Sequence, residues 1–186
     1  MFPSSFASPR TTTSFVFGWN NFLCPSTWLQ QTYTMHPNQL AHVQLRQTLA
    51  AIDMAIVTVL SQARSAGPVY VVCDDDESYM EQICGAFFPA CGQLFAQSDI
   101  TLVPHTRQAL NAICAPYRPT SLAVFGVGTL RDNCVSLLPA QPSMHKFVSV
   151  ATAMPSTAQV WQYLTAMGQG LLSNVSRHHA ALDIVM

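Results

Sequence analysis

The sequence predicts an α/β fold: three layers, αβα, around a five-stranded parallel sheet in the order 2-1-3-4-5, with an extra N-terminal helix. Three observations carry this. From Pro68 onward, short apolar runs alternate strictly with amphipathic stretches, the pattern of βαβ units. The runs are continuously apolar, as in strands buried on both faces. The length, 186 residues, suits one domain with room for a core.

Residues 1–37 are rich in Ser, Thr and Pro, with isolated aromatics at Phe15, Phe17, Trp19 and Trp28 and no sustained period. They are expected to form a flexible or loosely packed arm. Asn38 is a good N-cap, and Leu45, Leu49, Ile52, Ile56 and Leu60 fall on one face. These predict a helix over 38–66 that stops at Gly67-Pro68. The α/β domain then occupies 67–186. Its strands are "VYVVC", "ITLVP", "SLAVFGV", "KFVSVATA" and a short final "GLL". Its helices are "ESYMEQICGAFF", "TRQALNAICAPY" capped by Thr106, "TLRDNCVSLL", "STAQVWQYLTAM" with Val160, Leu164 and Met167 inward, and a last helix opening in "SRHHAALDIVM". Functional loops of such a sheet lie at the carboxyl ends of its strands.

Composition narrows the function classes. Only 9% of residues are charged against 49% hydrophobic, so the exposed surface must be built from uncharged polar groups. The net charge is -1 and Lys146 is the single lysine. With no basic stripe to neutralise phosphates, direct nucleic-acid binding is not expected. The longest apolar run, "LAAIDMAIVTVL", is interrupted by Asp53, and no membrane association is expected. The six cysteines are scattered without a CxxC pair, and neither Cys84/Cys91 nor His178/His179 has zinc-finger spacing. They read as buried, reduced thiols of a cytoplasmic protein.

"VVCDDDESYMEQI" resembles the first strand, acid pair and first helix of a response-regulator receiver domain of the CheY-like family. "GQLFAQSDITLVPHTRQALNAICAPYRPTSLAVFGV" is similar to the next strand, helix and third strand. "KFVSVATA" resembles the fourth strand with its terminal hydroxyl, and "LTAMGQGLLSN" the run that precedes the family's lysine. The resemblance covers about residues 68–186. It implies a Mg²⁺-binding acid pair at Asp74 and Asp75 and a phosphoryl-contacting hydroxyl at Thr152. It puts the phosphoacceptor position on Gly126, the lysine position on Asn174 and the aromatic switch position on Leu171. Glycine has no nucleophile, so the implied module is a degenerate, non-phosphorylatable pseudo-receiver with at most weak Mg²⁺ binding and no other cofactor.

The residues also have plainer readings. Asp74, Asp75 and Asp76 form a strand-end turn in which Asp76 or Ser78 caps the next helix. Thr152 bonds to local backbone. "GVGTLR" begins like a phosphate loop but lacks the third glycine and reads as a strand–helix turn.

The leading expectation is a regulatory module acting through protein contacts in signalling or transcription control. Trp161, Tyr163 and Leu171 would lie on its docking surface, and the helix at 38–66 would be open to homodimer formation. A second expectation is a small-ligand binder or enzyme on a Rossmann-like sandwich, with a pocket framed by Asp74, Asp75, Gly126, Gly128, Thr152 and Asn174. A third is a structural subunit of a larger assembly. Fold class does not choose among them.

Overall fold

The computed structural model describes residues 13–35, 42–114, 121–138 and 145–186. The expected cap at Asn38 lies outside them. The six described strands are β1 (Thr13–Gly18), β2 (Val69–Cys73), β3 (Thr101–Pro104), β4 (Ser121–Val127), β5 (His145–Val150) and β6 (Leu182–Val185). The helices are α1 (Ser26–Met35), α2 (Val43–Ala66), α3 (Glu77–Phe87), α4 (Pro89–Gln97), α5 (Arg107–Cys114), α6 (Gly128–Leu137), α7 (Thr157–Ala166) and α8 (Leu172–Arg177). All pairings are parallel, in the order β3-β2-β1-β4-β5-β6.

The α/β class holds, but the five-stranded 2-1-3-4-5 sheet does not. The difference is β1. The supposed arm supplies a central strand, wedged between β2 and β4 with Phe15 opposite both Val69 and Ala123. Its alternation feeds both faces: Phe15 and Phe17 join one core, Val16 the other, and all three are fully buried. Phe17 stacks on Phe125 at a centroid distance of 4.9 Å. The α2–β2 turn closes onto this strand so tightly that a Cβ at Gly67 would lie 2.0 Å from Thr13 O. That contact, with Pro68 behind it, is why the helix stops there.

The chain's end differs too. "GLL" is not a strand. The chain passes from α7 through one wide π-type turn at Met167–Leu171, with Gly170 at φ 132, straight into α8. The expected last helix is instead β6, in which Leu182 and Ile184 are half-buried and alternate with exposed Asp183 and Val185. α4 is also new. Pro89 sits in its first turn, and its N-terminal amides are taken by Asp53 of α2: Ala90 N donates to Oδ2 at 2.9 Å and Cys91 N to Oδ1 at 2.8 Å. The acid that interrupts α2's apolar stripe is therefore a buried cap for a neighbouring helix.

Helices α1, α2, α3, α4, α7 and α8 pack on one face and α5 and α6 on the other. The steps from β4 to β5 and from β5 to β6 run the same way across the sheet, yet α6 and α7–α8 lie on opposite faces. The two crossovers therefore have opposite hands. The four other crossovers share one hand, so the β5–β6 crossover runs opposite to the rest, in a class of sheet where one hand is the rule. Its helix α7 packs against α2 and shares one core cluster with Phe125 of β4 and Val148 of β5.

Among the described residues, α2 is the one helix long and apolar enough to cross a membrane by length and composition, with 33% of that window buried. Its buried stripe of Leu49, Ile52, Ile56, Val59, Leu60 and Ala63 belongs to the sheet core. Lys146 is buried in β5 and donates to Ser176 O at 2.9 Å, closing the last turn of α8. Burial lowers its pKa below the ordinary lysine value.

Candidate functional site

The order β3-β2-β1-β4-β5-β6 is that of doubly wound sheets whose ligand crevice opens between the first and fourth strands, at their carboxyl ends. Here the chemistry gathers just beside that point. β1 runs on through Trp19, whose N–H donates to Val72 O at 2.8 Å, and so delivers Asn20 beside the end of β2. Asn20 Oδ1 accepts the Asp74 amide at 2.9 Å and its Nδ2 donates to Asp75 Oδ2 at 2.7 Å. β3 extends likewise, His105 N donating to Cys73 O at 2.8 Å. That places the His105 ring against Asp74, with Nδ1 hydrogen-bonded to Oδ1. Asn133 of α6 donates through Nδ2 to His105 Nε2 at 3.0 Å. With the amide nitrogen facing it, Nε2 is assigned as the acceptor and the ring proton to Nδ1, facing the carboxylate. One polar chain, Asp75–Asn20–Asp74–His105–Asn133, thus joins three strand ends and one helix.

The other groups at this edge are already committed. Asp76 caps α3, accepting from Tyr79 N at 2.8 Å and from the Ser78 hydroxyl at 2.8 Å. The Tyr79 N–H, then the Ser78 hydroxyl, hold its carboxyl below the usual value. The Cys73 thiol is pushed up to about 11, chiefly by burial, and is not a nucleophile at neutral pH. Asn21, at φ 56, caps α1: Thr27 N donates to its Oδ1 at 3.0 Å. Dinucleotide-binding sheets use that first helix N-terminus for a pyrophosphate, and here a side chain fills the role.

Three cavities lie along the edge. One of 280 Å³ is lined by Cys73, Asp75, Asp76, Met80, Leu102, Val103 and Pro104. One of 310 Å³ opens between the ends of β5 and β6 and α7, with Thr152, Gln159, Gln162 and Tyr163 in its wall. A smaller one of 100 Å³ lies on the far side of His105.

The structure separates most of the residues grouped by sequence. Asp74 and Asp75 stand together, but Gly126 is on β4, two strands away across β1, roughly 10 Å in the sheet direction. Its missing side chain admits Leu130, whose Cδ2 would meet a Cβ there at 2.7 Å. Gly128 opens α6 with free space around it. Thr152 is exposed beyond the end of β5 and lines the 310 Å³ cavity. Asn174 is exposed on α8, whose end is tied to the amino-terminal half of β5, so it does not join Thr152. Leu171 is half-buried in the π-type turn. Trp161 is 47% exposed, whereas Tyr163 is buried, stacked on Phe22 and donating to Phe22 O at 2.6 Å, so its ring is not on the surface.

Asp74 and Asp75, the pair to which the receiver resemblance assigns weak Mg²⁺ binding, are both engaged by neighbouring side chains, the first by His105 and the second by Asn20. No cluster of three acidic, histidine or cysteine groups suited to a metal occurs among the described residues. Sequence reasoning missed Asn20, His105 and Asn133. Asn20 follows "SFVFGW", an aromatic, β-branched run that had the signature of a strand, and His105 directly follows the predicted strand "ITLVP". Comparison with protein-family models, with curated proteins and with solved structures returns no match for this chain.

Proposed function

We propose that this protein is a small-ligand-binding module whose ligand sits at the carboxyl edge of the sheet, beside the ends of β1, β2 and β3, and whose output is made through protein contacts. One observation carries the reading: the polar chain from Asp75 through Asn20, Asp74 and His105 to Asn133, held between four separate elements. Nothing in the packing of a doubly wound core requires such a chain. Pre-oriented polar groups at strand carboxyl ends are how these sheets fix a ligand's orientation. A ligand bridging several of these elements stabilises their relative placement, which gives it a route to a docking surface.

Phosphoryl transfer of the receiver kind is not part of the reading, since β1 separates the acid pair from Gly126 and glycine accepts nothing. A partner surface around half-exposed Trp161 on α7 is supported by its exposure and by the position of α7 beside the 310 Å³ cavity. Six buried, free thiols favour a reducing, cytoplasmic setting. A second reading, an enzyme using His105 as a general base, is favoured by Asp74 fixing the ring tautomer, with Nε2 as the atom that would take a proton.

The test is an assigned amide and side-chain NMR spectrum titrated with a panel of small metabolites. The reading expects shifts centred on Asn20, Asp74 and His105, lost in Asn20→Ala. Shifts confined to α7, or no responding compound, would count against it.

A further inference from the structure

The 100 Å³ cavity beside His105 differs in character from the others. Four of its six wall residues are polar: His105, Arg107, Asn133 and Ser136, closed by Leu110 and Leu137. It is too small for a nucleoside or a drug-sized ligand, which need about 300 Å³ or more. It has room for roughly three waters' share of liquid volume, the scale of one compact charged group.

On the Asn133 side its wall is already organised. Arg107 makes no ion pair with any acid among the described residues, so no carboxylate there answers its guanidinium. Asn133 spends one amide hydrogen on His105 Nε2 and retains the other. The amide cannot turn freely, because His105 is itself fixed by Asp74. The Asp74 carboxylate lies across the ring at Nδ1, not at the Nε2 side that Asn133 meets. Ser136, whose hydroxyl donates to Asn133 O at 2.8 Å, sits one turn further along α6. The cavity also abuts the first turn of α5, the positive end of that helix.

From this geometry we propose that the cavity is a small-oxyanion subsite, taking a phosphate or carboxylate group between the Arg107 guanidinium and the Asn133 amide. The planar guanidinium matches two oxygens of either group. His105 and Asp74 act as positioning residues that hold Asn133 in place. The inference rests on the carboxyl-edge reading above and gives it a ligand class: a compound with a terminal anionic group, its remainder lying toward Asn20 and the acid pair.

The experiment titrates the full chain separately with inorganic phosphate, methyl phosphate and acetate, following the side-chain signals of Arg107 Nε, Asn133 Nδ2 and the His105 ring. Saturable shifts of all three signals with at least one anion are expected, with affinity lowered at least tenfold in Arg107→Ala and partly restored in Arg107→Lys. Methyl phosphate binding more tightly than inorganic phosphate would support the subsite and identify a phosphomonoester. Acetate matching phosphate would support it and identify a carboxylate. Arg107 is exposed, so the variants are checked for an unchanged melting temperature. No saturable shift with any anion, or affinity unchanged in Arg107→Ala, overturns the proposal. If the anions are silent while metabolites still move Asn20 and Asp74, the subsite falls and the carboxyl-edge reading stands. If both are silent, both fall.

Discussion

Asn20 reaches from the end of β1 to Asp75 at the end of β2, donating from Nδ2 to Oδ2 at 2.7 Å. The same side chain accepts the Asp74 amide. One residue thus organises an acid pair 54 and 55 positions away. Replacing it by Ala frees the Asp74 amide and the Asp75 carboxylate. The expected cost is about 1 kcal/mol by chemical denaturation, because the site is partly solvated. Amide exchange at Asp74 should quicken, while exchange in β4 and β5 stays unchanged.

With β1 central in the sheet, residues 13–35 are expected to be indispensable to the fold. A chain starting at Met35 loses Phe15, Phe17, Trp19 and Phe22, all fully buried, and leaves β2 and β4 unpaired toward each other. It should show no cooperative melting. In the full chain, Phe17→Ala should cost about 3–5 kcal/mol, since the ring stacks on Phe125 at the centre of the sheet.

Asp53 ties α2 to α4 by two charge-assisted bonds in a buried setting. Asp53→Ala leaves two amides without an acceptor, and a loss of about 3 kcal/mol is expected in denaturant unfolding. A loss below about 0.5 kcal/mol would mean that water replaces the carboxylate and that the cap is not structural.

Edge strand β6 is joined to α6 by the Arg131–Asp183 ion pair. Hydrogen bonding to Arg131, then its charge, lowers the Asp183 carboxyl below its ordinary value of 3.8. The pair's contribution is therefore complete above the ordinary value and is lost as pH falls through the lowered one. Half of the Asp183 side chain is solvated, so the effect is small. Amide protection in β6 should fall on acidification in the wild type. In Arg131→Gln, protection should be lower at neutral pH and show less of that acid limb.

The layers of this fold were legible in the sequence because β2, β3, β4 and β5 are continuous apolar runs flanked by amphipathic helices. The centre was not. "TSFVFG" is six residues long and lies among Ser, Thr and Pro, so local composition outweighed its β-propensity, and its partners are distant in the chain. The same omission hid the site: with β1 absent, β2 and β4 become neighbours and Gly126 falls beside the acid pair. The acids themselves were found, and Asp76 caps α3 as a plain turn reading expects. Asn20, His105 and Asn133 come from three elements with nothing local to join them. α4 escaped notice because its cap is Asp53, 37 residues away from Ala90.

The position of β1 is what the fold and the site both depend on, and backbone NOEs test it most directly. The structure predicts cross-strand contacts from Phe17 to Val71 on one side and to Phe125 on the other. No contact should join Val71 directly to the backbone of β4. Contacts linking β2 directly to β4, with none to residues 13–18, would restore the 2-1-3-4-5 order and remove Asn20 from the acid pair.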